Sequence, residues 1–252
     1  MSFPDAPIGA SEGASETSEP GIHNHHRECG FRACASKSAV ADLDNDIAEL
    51  GYTRVRLAHP GMTKIYLAGP DVFLPDAVDV GRRKVALCAR HGLIGLYPLE
   101  NAVDRAANDA SLQIFRGNEA MMIEADAIIA NLTPFRGPGA DAGTVYELGY
   151  MAGRGKLCLG YSNDPSSYAD RVREITRVNS RDGRLVDGSG LTVEDFGLTD
   201  NLMMIHALDL HGCALVTPRQ APADIWHDLV AFESCVRMVA ERIASAPARA
   251  SS

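Results

Sequence analysis

The chain has 252 residues, enough for one large domain or an ordinary domain with an appendage, and its 46% apolar and 23% charged content suits a packed core. A formal net charge of −9 argues against a clamp for long nucleic acid, whose affinity comes mainly from Lys and Arg on phosphate, and favours a small uncharged substrate. No apolar run reaches bilayer length, and the start lacks the basic-then-apolar pattern of a secretory signal, so no membrane is expected as a partner. The six cysteines form no C-x-x-C pair, and Cys158 and Cys213 lie in strand-like runs that suit buried free thiols. A reducing cytoplasm is the expected compartment.

In chain order, residues 1–20 are rich in Ser, Gly, Pro and acids, a composition too poor in large apolar side chains to offset ordering entropy, and are expected to be disordered. Residues 38–50 carry Val40, Leu43, Ile47 and Leu50 at helical spacing, and a brief strand-like alternation over 52–58 follows. His59-Pro60-Gly61 reads as a break, so 1–61 is an extension and 62–252 the main domain, with Met62 a conceivable start of translation. The histidines His23, His25 and His26 beside Cys29 lack zinc-site spacing and read as adventitious.

From Thr63 strands and helices alternate. Lys64–Ala68 reads as a strand, 76–91 as a helix ending at Gly92, and Leu93–Tyr97 as a second strand. A helix over 111–124 shows Leu112, Phe115, Met122 and Ile123; the continuous apolar run 126–132 marks a strand buried on both faces. Thr144–Gly153 follows as a helix, Lys156–Tyr161 as a strand, 163–200 as a long irregular stretch, Cys213–Val216 as a fifth strand, and 222–243 as an amphipathic helix. This rhythm predicts an α/β fold, a doubly wound parallel five-stranded sheet of flavodoxin/Rossmann type, with ligand beyond the carboxyl ends of the strands.

The richest segment runs from Asp126 to Tyr150: a buried strand, a Gly/Pro-rich loop, then a helix start with an acid. Thr144 and Glu147 fit the capping box T-x-x-E, so Glu147 has a plain structural explanation of about equal weight. The chemical reading uses the same place. A carboxylate in the first helical turn is stabilised as an anion, stays ionised at neutral pH, and faces the carboxyl edge of the sheet. Such a group can attack a sugar's anomeric carbon as a base departs, forming a glycosyl ester. Arg136 reads as structural, Asp126 as equally suited to tying down a loop and to chemistry, and Met121, Met122, Met203 and Met204 mostly as core filler. Neither a G-x-G-x-x-G, a phosphate-binding G-x-x-x-x-G-K-[ST], nor a metal-ligand constellation occurs, so no cofactor or metal is implied.

Four ordered segments resemble nucleoside 2-deoxyribosyltransferases, particularly their kinetoplastid-type branch: K-I-Y-L-A-G-P-D-V-F, R-G-N-E-A-M-M-I-E-A-D-A-I-I-A-N-L-T-P-F-R-G-P, D-A-G-T-V-Y-E-L-G and V-E-D-F-G-L-T-D-N-L-M. The resemblance covers roughly Met62 to the C-terminus. It implies Glu147 as nucleophile, Asp141 as an acid that helps hold the base or orient the nucleophile, and Tyr66 and Phe73 as aromatics flanking the sugar. It implies Asn201 and Met203 as residues lent by a neighbouring subunit, with Asn201 bonding the sugar 5′-hydroxyl. Asn118 stands where some relatives carry an acid that contacts or protonates the base, and Ala102, in P-L-E-N-A, where some carry Gln; proton donor and base preference therefore do not transfer. The implied partners are a deoxynucleoside, a nucleobase and further copies of the chain in a homo-oligomer. Two other readings stand beside it: a 2′-deoxynucleoside 5′-monophosphate N-glycosidase, disfavoured by the acid Asp71 where a phosphate would sit, and a non-catalytic nucleoside-binding module, disfavoured by the joint presence of Glu147, Asp141 and Asn201.

Overall fold

A computed structural model describes residues 62–100 and 106–245. The expectations for the 1–61 extension, for its histidine cluster and for Asn101 and Ala102 lie outside the described residues.

The short apolar runs become four parallel strands: β1 (Lys64–Ala68), β2 (Ile94–Leu96), β3 (Ala127–Asn131) and β4 (Leu157–Tyr161), in the order β2-β1-β3-β4. The fifth expected strand is shorter than its apolar run. Cys213–Val216 contributes only a parallel bridge from Val216 to Tyr161, with Ser162 N donating to Val216 O at 3.0 Å and Val216 N to Gly160 O at 3.0 Å. The sheet is thus four-stranded with a fifth element touching its edge.

Side-chain alternation divides the core in two. Ile65, Leu67, Ile129, Leu159 and Tyr161 face α1 (Ala77–Arg90) and α6 (Val230–Ser245). Tyr66, Ala68, Ile128, Ala130 and Cys158 face α2 (Ala110–Glu124), α3 (Ala142–Gly153) and α5 (Leu202–His211). Helices on both faces make the expected doubly wound architecture. The chain goes one way from β1 to β2 and the other way from β1 to β3, so the crevice opens between the carboxyl ends of β1 and β3. Of the two roles open to Asp126, the structure shows a tie: its Oδ2 accepts from Lys64 N at 2.9 Å, joining the starts of β1 and β3.

Several local expectations change. α3 begins at Ala142 with Asp141 as its N-cap, not at Thr144. α6 begins only at Val230; residues 222–229 form a strap across the sheet's carboxyl end. Of the apolar residues expected to seat α2, only Met122 is buried, while Leu112, Phe115 and Ile123 are exposed. The stretch 163–200 is not irregular. It contains α4 (Tyr168–Ile175), capped by Ser167, and a hairpin of β5 (Asn179–Arg181) and β6 (Arg184–Val186). Asp182-Gly183 turns that hairpin with φ values of 52° and 73°, the backbone a D-G pair favours.

Buried polar groups anchor this stretch. Arg171 and Asp200 are both buried and lie 3.5 Å apart. Arg171 Nε donates to Pro138 O at 2.6 Å, and its other nitrogens donate to Ser166 O and Thr199 O. Asp200 accepts from Ala140 N at 3.0 Å and Asn201 N at 2.8 Å. This network ties the loop after β3 to the start of α5. Burial pushes the Asp200 carboxyl above its ordinary value, against the opposing pull of these donors and Arg171. No helix among the described residues is long and apolar enough to cross a membrane.

Candidate active site

The centre of the site is a pair contributed by neighbouring elements. β1 points Tyr66, fully buried, toward α3, and its hydroxyl donates to Glu147 Oε1 at 2.6 Å. Glu147 lies in the second turn of α3 and caps nothing. The capping role belongs to Asp141, whose Oδ2 accepts from Thr144 N at 2.9 Å and Thr144 Oγ1 at 3.1 Å. Asp141 therefore supplies the negative end that the helix N-terminus favours, and Glu147 is released from any structural duty there.

This placement changes the electrostatics expected from sequence. The helix dipole acts mainly within the first turn. Burial dominates instead and pushes the Glu147 carboxyl up to about 7; the Tyr66 hydrogen bond opposes this and the charge of Asp141 adds to it. Glu147 is not held ionised with a wide margin at neutral pH. It is poised between its two forms there, as acid–base and nucleophilic carboxylates in dry sites are. Burial, with the Glu147 charge behind it, holds the Tyr66 hydroxyl far above its ordinary value, so Tyr66 is the donor of the pair at any physiological pH.

The remaining expected residues lie outside this pair. Phe73 is exposed at the end of the 3-10 turn Pro70–Phe73 and stacks on Phe135 of the loop after β3, ring centres 5.2 Å apart and planes at 13°. Trp226 of the strap meets Phe135 edge-on at 6.1 Å. Arg136, at φ 56°, lays its guanidinium over both Phe135 and Phe73, at 4.6 and 5.2 Å. Phe73, Phe135 and Trp226 form an aromatic wall built by the loops beyond β1 and β3 and by the strap, and the sequence pointed only to Phe73. Asn118, on α2, buries an Oδ1 that finds no hydrogen-bond partner among the described residues.

Asn201 and Met203 behave differently. Asn201 caps α5 by accepting from Met203 N at 3.0 Å, and its Nδ2 donates to Glu194 Oε1 at 2.8 Å. Met203 is 72% exposed rather than core filler, while Met204 is buried. The structure brings together Tyr66, Glu147 and Asp141; Asn201 is engaged with Glu194 in its own chain.

A buried polar network beneath the site escaped the sequence reading. Asp71 does not face the crevice. It is 1% exposed, takes an ion pair from the equally buried Lys84 of α1, and accepts from Asn131 Nδ2 at 2.9 Å. Asn131 Oδ1 in turn accepts from Thr133 N at 3.0 Å, and Thr133 Oγ1 from Asn163 N at 3.0 Å. This chain of bonds locks the ends of β1, β3 and β4 together. Gly69 permits it: a Cβ there would stand 2.5 Å from Asp71 Oδ2 and 2.7 Å from Asn131 Cβ. Because Asp71 is inward and paired, the sequence-based reason against a phosphate at this loop does not hold.

Fold and site together define an α/β protein with a desolvated carboxylate–tyrosine pair at the switch point of a parallel sheet. The family described as nucleoside 2-deoxyribosyltransferase matches residues 65–203. The chain belongs to the nucleoside 2-deoxyribosyltransferase family. It is 32% identical over 155 residues to an uncharacterized protein of Schizosaccharomyces pombe, a match covering 55% of this chain and 74% of that one. Among solved structures it is similar to a 2-desoxiribosyltransferase from Leishmania mexicana, at 36% identity over 56% of this chain and 85% of that chain, with a TM-score of 0.45. A 2-deoxyribosyltransferase from Bacillus psychrosaccharolyticus matches at 22% identity over 41% of this chain and 75% of that one, with a TM-score of 0.36.

Proposed function

We propose that this protein is a nucleoside 2-deoxyribosyltransferase that works through a covalent deoxyribosyl–Glu147 ester. The observation that carries the proposal is the Tyr66–Glu147 pair: the tyrosine holds one carboxylate oxygen and leaves the other for the sugar. In the first half-reaction that oxygen bonds to the anomeric carbon while the bond from this carbon to the base nitrogen breaks. The electron pair leaves on the base, which takes up a proton. In the second half, a nitrogen of an incoming base attacks the same carbon, gives up a proton, and returns Glu147 as carboxylate. A partly desolvated carboxylate is a stronger nucleophile than a hydrated one, and a 2-deoxy sugar favours the oxocarbenium-like passage.

Around this centre, Asp141 orients α3 and lends negative charge, Phe73 flanks the sugar, and Asn118 lies on the side of the base. Asn201 and Met203 serve a neighbouring subunit. The exposed Leu112, Ile114 and Phe115 of α2 and the exposed Met203 supply apolar surface suited to such an interface.

A second reading, hydrolysis of 2′-deoxynucleoside 5′-monophosphates, gains from the inward turn of Asp71, which leaves the loop after β1 without a free acid. One assay separates the readings. The protein is incubated with deoxyinosine, with and without adenine, and with deoxyinosine monophosphate. Base exchange with little free sugar is expected; hydrolysis confined to the monophosphate would replace the proposal by the second reading, and no turnover of either would overturn both.

A further inference from the structure

We propose that His227 is a positioning residue for the aromatic wall of the site: in its doubly protonated form it bridges Asp224 and Asp76 and so clasps the strap bearing Trp226 to the first turn of α1. The clasp itself is read from geometry; only its effect on substrate rests on the proposed function.

His227 Nδ1 lies 2.7 Å from Asp224 Oδ2, and Nε2 lies 3.1 and 3.2 Å from the two oxygens of Asp76, the N-cap residue of α1. Both ring nitrogens thus face carboxylates. A neutral imidazole has one N–H and one lone pair, so it can donate to one carboxylate and must turn its lone pair on the other; only the imidazolium satisfies both. Two carboxylates accordingly hold His227 above its ordinary 6.5. The groups facing the ring are Asp76 from α1 and Asp224 from the strap. Arg83 of α1 acts on Asp76 rather than on the ring. Asp228 is engaged by Val230 N at 2.9 Å.

Geometry also decides which contact fails when the proton leaves. Asp224 is local and fixed, its Oδ1 accepting from Trp226 N and His227 N at 3.1 Å each. The remaining N–H therefore stays with Asp224, and the lone pair falls to Asp76, the longer contact and the one that crosses between elements. The strap does not come away, because Asn163 Nδ2 still donates to Ile225 O at 2.7 Å and Asp228 O at 2.9 Å. It loosens beside that anchor, at Trp226, whose edge contact with Phe135 continues into the Phe135–Phe73 stack. The wall is firm below the folded pKa of His227 and slack above it.

The chain has a single tryptophan, Trp226, so fluorescence reports on the strap without labels. The full chain is titrated from mildly acidic to alkaline pH while acrylamide quenching of Trp226 is measured. A midpoint above 6.5 is expected, moving down in Asp76→Asn, since that substitution removes the carboxylate facing Nε2. Quenching should rise about two- to fivefold through the midpoint, the size of one exposed ionic contact, and should be high and independent of pH in His227→Gln. In turnover, KM for deoxyinosine should rise by a similar factor through the same midpoint, and be flat in His227→Gln, whereas kcat follows Glu147 in both. A midpoint unmoved by Asp76→Asn, or quenching that does not change across it, overturns the clasp. Titration as expected in a protein that never turns over deoxynucleosides would overturn the proposed function and leave the clasp standing.

Discussion

Replacing Glu147 by Gln should remove base exchange and, at alkaline pH, make the protein more stable. The side chain caps no backbone group, so the substitution carries no capping loss, and Gln can still accept the Tyr66 hydrogen bond. What changes is the cost of a partly buried charge. In the unfolded chain the carboxyl titrates near 4.5, and in the folded chain at about 7. Between those values the folded state holds more protons than the unfolded one, so wild-type stability falls as pH rises, and above about 7 the penalty is constant. At about 1.4 kcal/mol per unit the ceiling is roughly 3 kcal/mol, and solvent at the half-buried carboxyl halves it to about 1.5 kcal/mol. For a domain of this size that is a rise of about 3–6 °C in Tm. Differential scanning calorimetry of both proteins near pH 8.5 and near 4.5 tests it: the Gln variant should melt higher at the first and level with wild type at the second. Equal or lower stability at pH 8.5, or a gain that persists unchanged at pH 4.5, would show that desolvation of Glu147 is not what sets its chemistry.

Tyr66→Phe removes the interaction that holds the Glu147 pKa down, so the acid limb of the kcat/KM profile should move up by about one unit, consistent with roughly 1.5–3 kcal/mol for a hydrogen bond to a charged group. An unmoved limb would separate Tyr66 from Glu147 in catalysis. Lys84→Met leaves Asp71 buried and unpaired, and denaturant unfolding should show a loss of about 3–5 kcal/mol, part of which returns when Asp71→Asn is added; a neutral Lys84→Met would mean that the pair is dispensable. Mixing Glu147→Ala with Asn201→Asp under conditions of subunit exchange should restore part of the activity if neighbouring subunits share a site, and demonstrably mixed oligomers without recovery would refute the sharing.

Much of the scaffold was legible in the chain because it rests on local or periodic signals. The run K-I-Y-L-A reads as a strand and the continuous apolar run 126–132 as one buried on both faces, and their alternation with helical segments points to the parallel winding and to the carboxyl edge as the place for a ligand. Glu147 and Tyr66 were visible as candidates through their motifs. The D-G turn of the hairpin is a local preference for a left-handed pair, but the polar stretch around it carries no periodic signal for the two short strands it joins.

Tertiary structure decided what depends on neighbours distant in sequence. Whether Asp141 or Thr144 caps α3 turns on where the loop after β3 is held, and that is done by Arg171 and Asp200. The ionisation of Glu147 turns on how much water Tyr66 and the packed helix exclude, a quantity no spacing encodes. Asp71 reads in sequence as an acid facing ligand, and is turned inward because Lys84, thirteen residues on in α1, and Asn131 at the end of β3 meet it there. Sequence patterns report each residue's own preference, whereas charge, burial and pairing are properties of the space between residues, and the fold alone sets those.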